Sequence, residues 1–224
     1  MQHGKIIVLD GVDASGKGTQ SKLLYENLRK EFKNVHFLDF PCYESNSSYP
    51  VRMYLNGELS KNPNDINAYA ASSFFAVDRY ISYKKEWQSL YENGDTFICN
   101  RYVTSNAIHQ CAKLPESEFD TFLEWMFDFE YNKIGIPKPD LVFFLDMPLA
   151  IVKELLKSRY HGDENLKDIH EKDDLFLEKS YNAAKYVQNK YNFEHILSAK
   201  ENTIREIDDI QNEILQKVLS FLKR

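Results

Sequence analysis

Residues 11–19 read Gly-Val-Asp-Ala-Ser-Gly-Lys-Gly-Thr, a run whose residue types and spacing suit the binding of phosphate groups. Gly11 and Gly16 allow backbone conformations in which successive N–H groups converge on phosphate oxygens. Lys17 adds a point charge, and a helix starting there would add its dipole. The hydroxyl usual directly after the lysine is absent: Gly18 stands there, and Thr19 one place later is the candidate contact to Mg2+ or phosphate. Gly11, Ser15, Gly16, Lys17, Gly18, Thr19 and Gln20 form the set expected to hold a nucleoside triphosphate. A plain glycine-rich turn is the weaker reading, because an apolar strand precedes the run and a helical pattern follows it.

Further groups could complete a reaction on such a phosphate. Asp13 lies inside the loop, where a carboxylate beside polyphosphate is costly unless it serves a hydroxyl or a cation. Phe75 and Arg79, four apart on a helical stretch, share one face, so a ring can stack on a base while a guanidinium donates to its carbonyl. Arg101 follows an apolar strand, at the end where ligands sit in open α/β sheets, and a guanidinium clamps phosphate bidentately. Ser105, four residues on, shares its face.

The elements that must position these groups alternate in type. Residues 5–10 (KIIVLD), 35–40 (VHFLDF), 96–99 (TFIC), 141–145 (LVFFL) and 193–198 (FEHILS) read as strands. Helical spacing fills 17–32, a short stretch at 50–55, a long stretch that Asn64 or Asp65 can cap and Gly94 can stop, 107–112, 118–131, 148–158, 172–191 and the C-terminal segment. The pattern predicts an α/β fold with a five-stranded parallel sheet flanked by helices, in one domain spanning 1–224. Residues 159–171 show no sustained period and are polar, as in a functional lid; Arg159 is the first candidate for a lid cation and Lys167 the second.

Lys plus Arg number 28 against 34 Asp plus Glu, a net charge of −6 that argues against a nucleic-acid-coating surface. The opening apolar run is too short for a signal peptide or membrane helix, and Cys42, Cys99 and Cys111 form no ligand pair, so the expectation is a cytoplasmic protein without a membrane partner.

Residues 11–20, Phe40-Pro41, residues 75–80 (FAVDRY), Asn100-Arg101-Tyr102 with Ser105, and residues 137–146 (PKPDLVFFLD) together resemble the thymidylate kinase family across nearly the whole chain, in order. The resemblance implies a nucleoside monophosphate kinase with a phosphate-binding loop and a short lid, which moves the γ-phosphoryl group of Mg-ATP onto dTMP and is usually a homodimer. It further implies that Phe75 stacks on thymine with Arg79 reading its edge, and that Arg101 holds the acceptor phosphate. Asp13 would serve the deoxyribose 3′-hydroxyl, with Phe40, His109 and Gln110 also near the nucleotide. Lys17, Asp13, Arg101 and Arg159 would be the catalytic set, and Thr19 and Asn100 the metal set.

Four departures stand out against the family pattern. Asn100 replaces a common aspartate, Gly18 removes the hydroxyl after the loop lysine, Tyr43 replaces an arginine after the Phe-Pro pair with Arg52 a conceivable substitute, and Ile169-His170 replaces an arginine near the lid's end. The rival readings are a kinase for another deoxynucleoside monophosphate and a nucleotide-binding protein with little catalysis. A guanine-nucleotide switch is disfavoured because no Asn-Lys-x-Asp run occurs near the expected strand.

Overall fold

A computed structural model describes residues 3–159, 174–201 and 203–223. Its centre is a parallel sheet of β1 (Lys5–Asp10), β2 (Val35–Asp39), β3 (Thr96–Asn100), β4 (Leu141–Asp146) and β5 (Glu194–Leu197), in the order β2-β3-β1-β4-β5. The chain leaves β1 toward one edge, returns through β3, then crosses to β4 and β5. Ligands of open parallel sheets bind outside the C-terminal ends of strands at such a reversal.

The strands are apolar on both faces because helices cover both. Side chains of a strand alternate between faces, and here Ile6, Val8, Phe97, Cys99 and Val142 enter one core while Ile7, Leu9, Ile98, Phe143 and Leu145 enter another. The first core is closed by α5 (Val103–Cys111) and α6 (Phe119–Phe127) through Ala107, Phe122 and Met126. The second is closed by α1 (Lys17–Glu31) and α9 (Ile207–Leu222), whose Leu24, Leu28, Ile210, Ile214 and Val218 repeat at helical spacing. Between β4 and β5 run α7 (Leu149–Arg159) and α8 (Asp174–Tyr191), and the short α2 (Tyr49–Leu55) follows β2.

The structure corrects the sequence reading in several places. The long helix is not capped by Asn64 or Asp65: these belong to a 3-10 turn, Pro63–Asp65, capped by Asn62. The helix begins one turn later, where Asn67 Oδ1 accepts from Ala70 N at 2.8 Å. It is also three pieces, α3 (Ala68–Ser82), a π-helical turn over Tyr83–Trp87 and α4 (Gln88–Glu92), before Gly94 at φ 97° ends it. The helix expected over 118–131 likewise passes into a π-helical turn, Asp128–Lys133. A two-residue ribbon, β6 (Ala199–Lys200) with β7 (Thr203–Ile204), was not expected, being too short for a period to register. Of the expected lid, Arg159 ends α7; Lys167 and the rest lie outside the described residues.

Candidate active site

The glycine-rich run forms the turn from β1 into α1. Gly11 is required by space: a Cβ there would lie 2.6 Å from the Leu145 carbonyl oxygen and 2.7 Å from Ser15 Oγ. Gly16 is required by conformation, at φ 90°. Ser198 braces the loop by donating to the Ser15 carbonyl at 3.2 Å. Lys17 Nζ lies across the turn, 3.0 Å from the Val12 carbonyl and 3.6 Å from Asp13 Oδ1. Thr19 is exposed on the first turn of α1. Gln20 is turned away: it is 2% exposed and donates to the Ile207 carbonyl at 2.9 Å, tying α1 to α9.

All eight residues expected at the acceptor, Asp13, Phe40, Phe75, Arg79, Arg101, Ser105, His109 and Gln110, line one cleft, together with Tyr43, Tyr102 and Asn106. Arg101 is its electrostatic centre. The residue is held at φ 64°, a left-handed conformation that costs a non-glycine residue about 1 kcal/mol or more and persists where the surroundings enforce it. Arg101 N donates to Leu9 O at 3.1 Å, and its guanidinium pairs with Asp13 while Nη1 lies 3.0 Å from His109 Nε2 and 3.4 Å from Ser105 Oγ.

The charges tune one another. Burial alone would raise the Asp13 pKa, but Arg101 and Lys17 outweigh it and hold the carboxyl far below the usual range. Burial, then Arg101, lowers the Lys17 ammonium to about 8, partly offset by Asp13 and Asp10. Arg159 acts on Lys17 in the same direction as Arg101. Burial and the Arg101 charge lower His109 to about 4, against the pull of Asp13, so its ring is neutral at pH 7 and its Nε2 can accept from Arg101.

Arg79 is 2% exposed and forms a fork with Glu130, Nε to Oε2 at 2.8 Å and Nη2 to Oε1 at 2.5 Å; Nη1 takes no part in this pair. Glu130, fully buried, also accepts from Asn106 Nδ2 at 3.0 Å. Phe75 lines the cleft edge-on to Tyr54, with ring centroids 6.3 Å apart. Gln110 is 1% exposed, and its side-chain oxygen has no partner among the described residues.

Sequence reasoning passed over Asp10 and Glu130. Asp10 is the hub under the loop, accepting from Gly11 N, Thr104 Oγ1 and Ser105 Oγ at 2.9, 2.5 and 2.7 Å. Arg52, the conceivable substitute for a missing arginine, is committed elsewhere: its Nη1 donates to Tyr43 O, Ser45 O and Ser48 Oγ, fastening the loop after β2. Asn100 Nδ2 donates to Asp39 Oδ1 at 2.8 Å.

With this geometry in place, comparison with known proteins gives a consistent result. A family model described as thymidylate kinase matches residues 9–214. The chain belongs to the thymidylate kinase family. The thymidylate kinase of Plasmodium falciparum is 30% identical over 217 residues, covering 97% of this chain and 90% of that protein. The human thymidylate kinase is 32% identical over 149 residues, covering 66% of this chain and 64% of that protein. Among solved structures, a thymidylate kinase from Candida albicans superposes with a TM-score of 0.70 at 20% identity, covering 97% of this chain and 92% of that one, which supports the five-stranded α/β architecture. The loop from β1 to α1 adjoins the cleft, whose lining includes Asp13 of that loop.

Proposed function

We infer that this chain is a thymidylate kinase that transfers the γ-phosphoryl group of ATP to dTMP, giving dTDP and ADP. The observation carrying the reading is the single cleft that Arg101, Asp13, Phe75 and Arg79 line together, with Asp13 paired to Arg101 and 3.6 Å from Lys17 Nζ of the loop. Phosphoryl transfer needs positioning and charge neutralisation more than covalent chemistry. Arg101 would clamp the acceptor phosphate, and its three neighbours fix the guanidinium before substrate arrives. Asp13, kept ionised, would orient the sugar hydroxyl. Phe75 would stack on thymine, Arg79 would donate through Nη1 to a base carbonyl, and the Gln110 oxygen offers an acceptor for the ring N–H.

Asp10, Asp13, Lys17 and Arg101 sum to no net charge, so the polyphosphate needs further cations. We assign Arg159 as the lid cation, supported by its influence on Lys17. The residues fit an Mg2+ that arrives with ATP: Thr19 presents an exposed hydroxyl, and the buried Asn100 Oδ1 has no partner among the described residues. Bound there, the ion would neutralise charge developing on the transferred phosphate. Loop N–H groups, with Ser15, Gly16 and Gly18, would cradle the ATP phosphates.

We further propose a homodimer in which α3 contributes contact surface, supported by Val77 and Tyr80, 43% and 38% exposed on one face. Three free cysteines fit the reducing cytoplasm, and no described helix is long and apolar enough to cross a membrane.

The Lys17 pKa gives a pH test. With free-enzyme Lys17 titrating near 8, ATP must find or restore the ammonium form. Affinity is expected to hold between about pH 6 and 7.5 and to fall above about pH 8, by up to about tenfold per unit. Calorimetric titration should show proton uptake on binding at pH 8.5, and Lys17→Met should flatten the profile. For the activity itself, γ-labelled ATP with dTMP should yield labelled dTDP in step with ADP; label released as inorganic phosphate would make the protein a hydrolase instead.

A further inference from the structure

Around the C-terminal ends of the central strands stand Asp10, Asp13, Asp39 and Asp146, with the amide of Asn100 ending β3. Asp10 is fully buried and accepts three donors. Asp13 is paired with Arg101 and lies 3.6 Å from Lys17 Nζ. Asp146, at the end of β4, takes Lys185 Nζ at 2.5 Å and His195 Nε2 at 2.8 Å. Asp39 alone among these four is exposed, and among the described residues its side chain bonds only to a neutral donor, Asn100 Nδ2 at 2.8 Å.

Asp39 and Asn100 are register partners at the C-terminal ends of β2 and β3, the end where nucleotides bind. An ionised carboxylate only accepts, so Asp39 obliges the Asn100 amide to present its NH2 edge. The pair lies against the first turn of α1: a Cβ on Gly18 would sit 3.6 Å from Asn100 Nδ2. Gly18 and Asn100 thus face each other, and the exposed carboxylate beside them belongs to the neighbouring strand.

We propose that Asp39 is the carboxylate that receives the hydrated divalent cation of the bound nucleotide, with Asn100 as its positioning residue. This rests on the kinase reading above. Mg2+ keeps several waters and is held by phosphates and one or two carboxylates, so a single exposed aspartate contacting it through water suffices.

The test measures metal directly. Mn2+ binding to the protein with a non-hydrolysable ATP analogue is followed by electron paramagnetic resonance in the wild type, Asp39→Asn, Asn100→Asp and Asp39→Asn/Asn100→Asp. Asp39→Asn is expected to weaken Mn2+ about tenfold, with the analogue's metal-free affinity no weaker than in the wild type, and the double variant, which places the charge on β3, to recover most of the loss. Unchanged Mn2+ affinity in Asp39→Asn, or a double variant no tighter than Asp39→Asn, overturns the proposal. Asp39→Ala with thermal melts separates metal loss from unfolding: normal melting with weakened Mn2+ supports the assignment, and normal melting with unchanged Mn2+ refutes it. Wild-type turnover of dTMP is measured alongside. If dTMP is phosphorylated while Mn2+ affinity ignores residue 39, this inference alone fails; if dTMP is not phosphorylated, the functional reading fails.

Discussion

Arg101→Met is expected to lower kcat/KM for dTMP by about a thousandfold. A charge-assisted hydrogen bond contributes about 1.5–3 kcal/mol, and removal of one donor aimed at developing charge costs about 2.7–4 kcal/mol, a hundred- to a thousandfold. The variant also leaves Asp13 with only Lys17, 3.6 Å away, to offset its charge as the phosphate arrives. Arg101→Lys keeps the charge and loses the fork, and should fall between the two. Thymidine, which lacks the phosphate, provides the control: its binding should weaken far less than that of dTMP. A methionine variant within tenfold of wild type would remove Arg101 from the acceptor site.

Glu130→Gln should cost about 3–5 kcal/mol of stability, because it strands a buried guanidinium without its counter-charge. The pair is 3% and 0% exposed at its side chains, so water cannot compensate. For a chain of this length the loss corresponds to a drop in melting temperature of roughly 10 °C. Arg79→Met/Glu130→Gln should recover much of that loss, since neither partner then remains charged in the interior. Binding of dTMP should stay weak in the double variant, because the Arg79 Nη1 donor is gone. Calorimetric melts together with dTMP titrations check both halves. A melting temperature unchanged in Glu130→Gln would show that the pair contributes nothing.

These two expectations differ in how much of their basis is visible in the chain. Arg101 was legible because it follows an apolar strand directly, and a strand end fixes where the next residue points. Its left-handed backbone and its three partners were not legible, since Asp13 and His109 reach it across 88 and 8 residues. Arg79 was legible as the partner of Phe75 through helical spacing, but its commitment to Glu130 was not. A signal existed: Phe119, Leu123 and Met126 form the buried face of α6, and the same spacing reaches Glu130. A carboxylate continuing an apolar stripe asks for a buried cation. The sheet was legible because strands covered on both faces are continuously apolar, whereas the cap at Asn67 and the π-helical turns depend on local hydrogen bonds that composition does not display. Gln20 misled for a different reason: membership of the loop run places its backbone near the site, but the helix turn aims its side chain at α9.

The central claim is that this cleft selects dTMP as phosphoryl acceptor. The direct measurement is kcat/KM with γ-labelled Mg-ATP for dTMP, dUMP, dCMP, dGMP, dAMP and UMP, with Lys17→Ala as the control. The account predicts the highest value for dTMP, label recovered in the β-phosphate of dTDP, and loss of turnover in the control. A higher value for another monophosphate, or ATP consumed without a labelled nucleoside diphosphate, would contradict it.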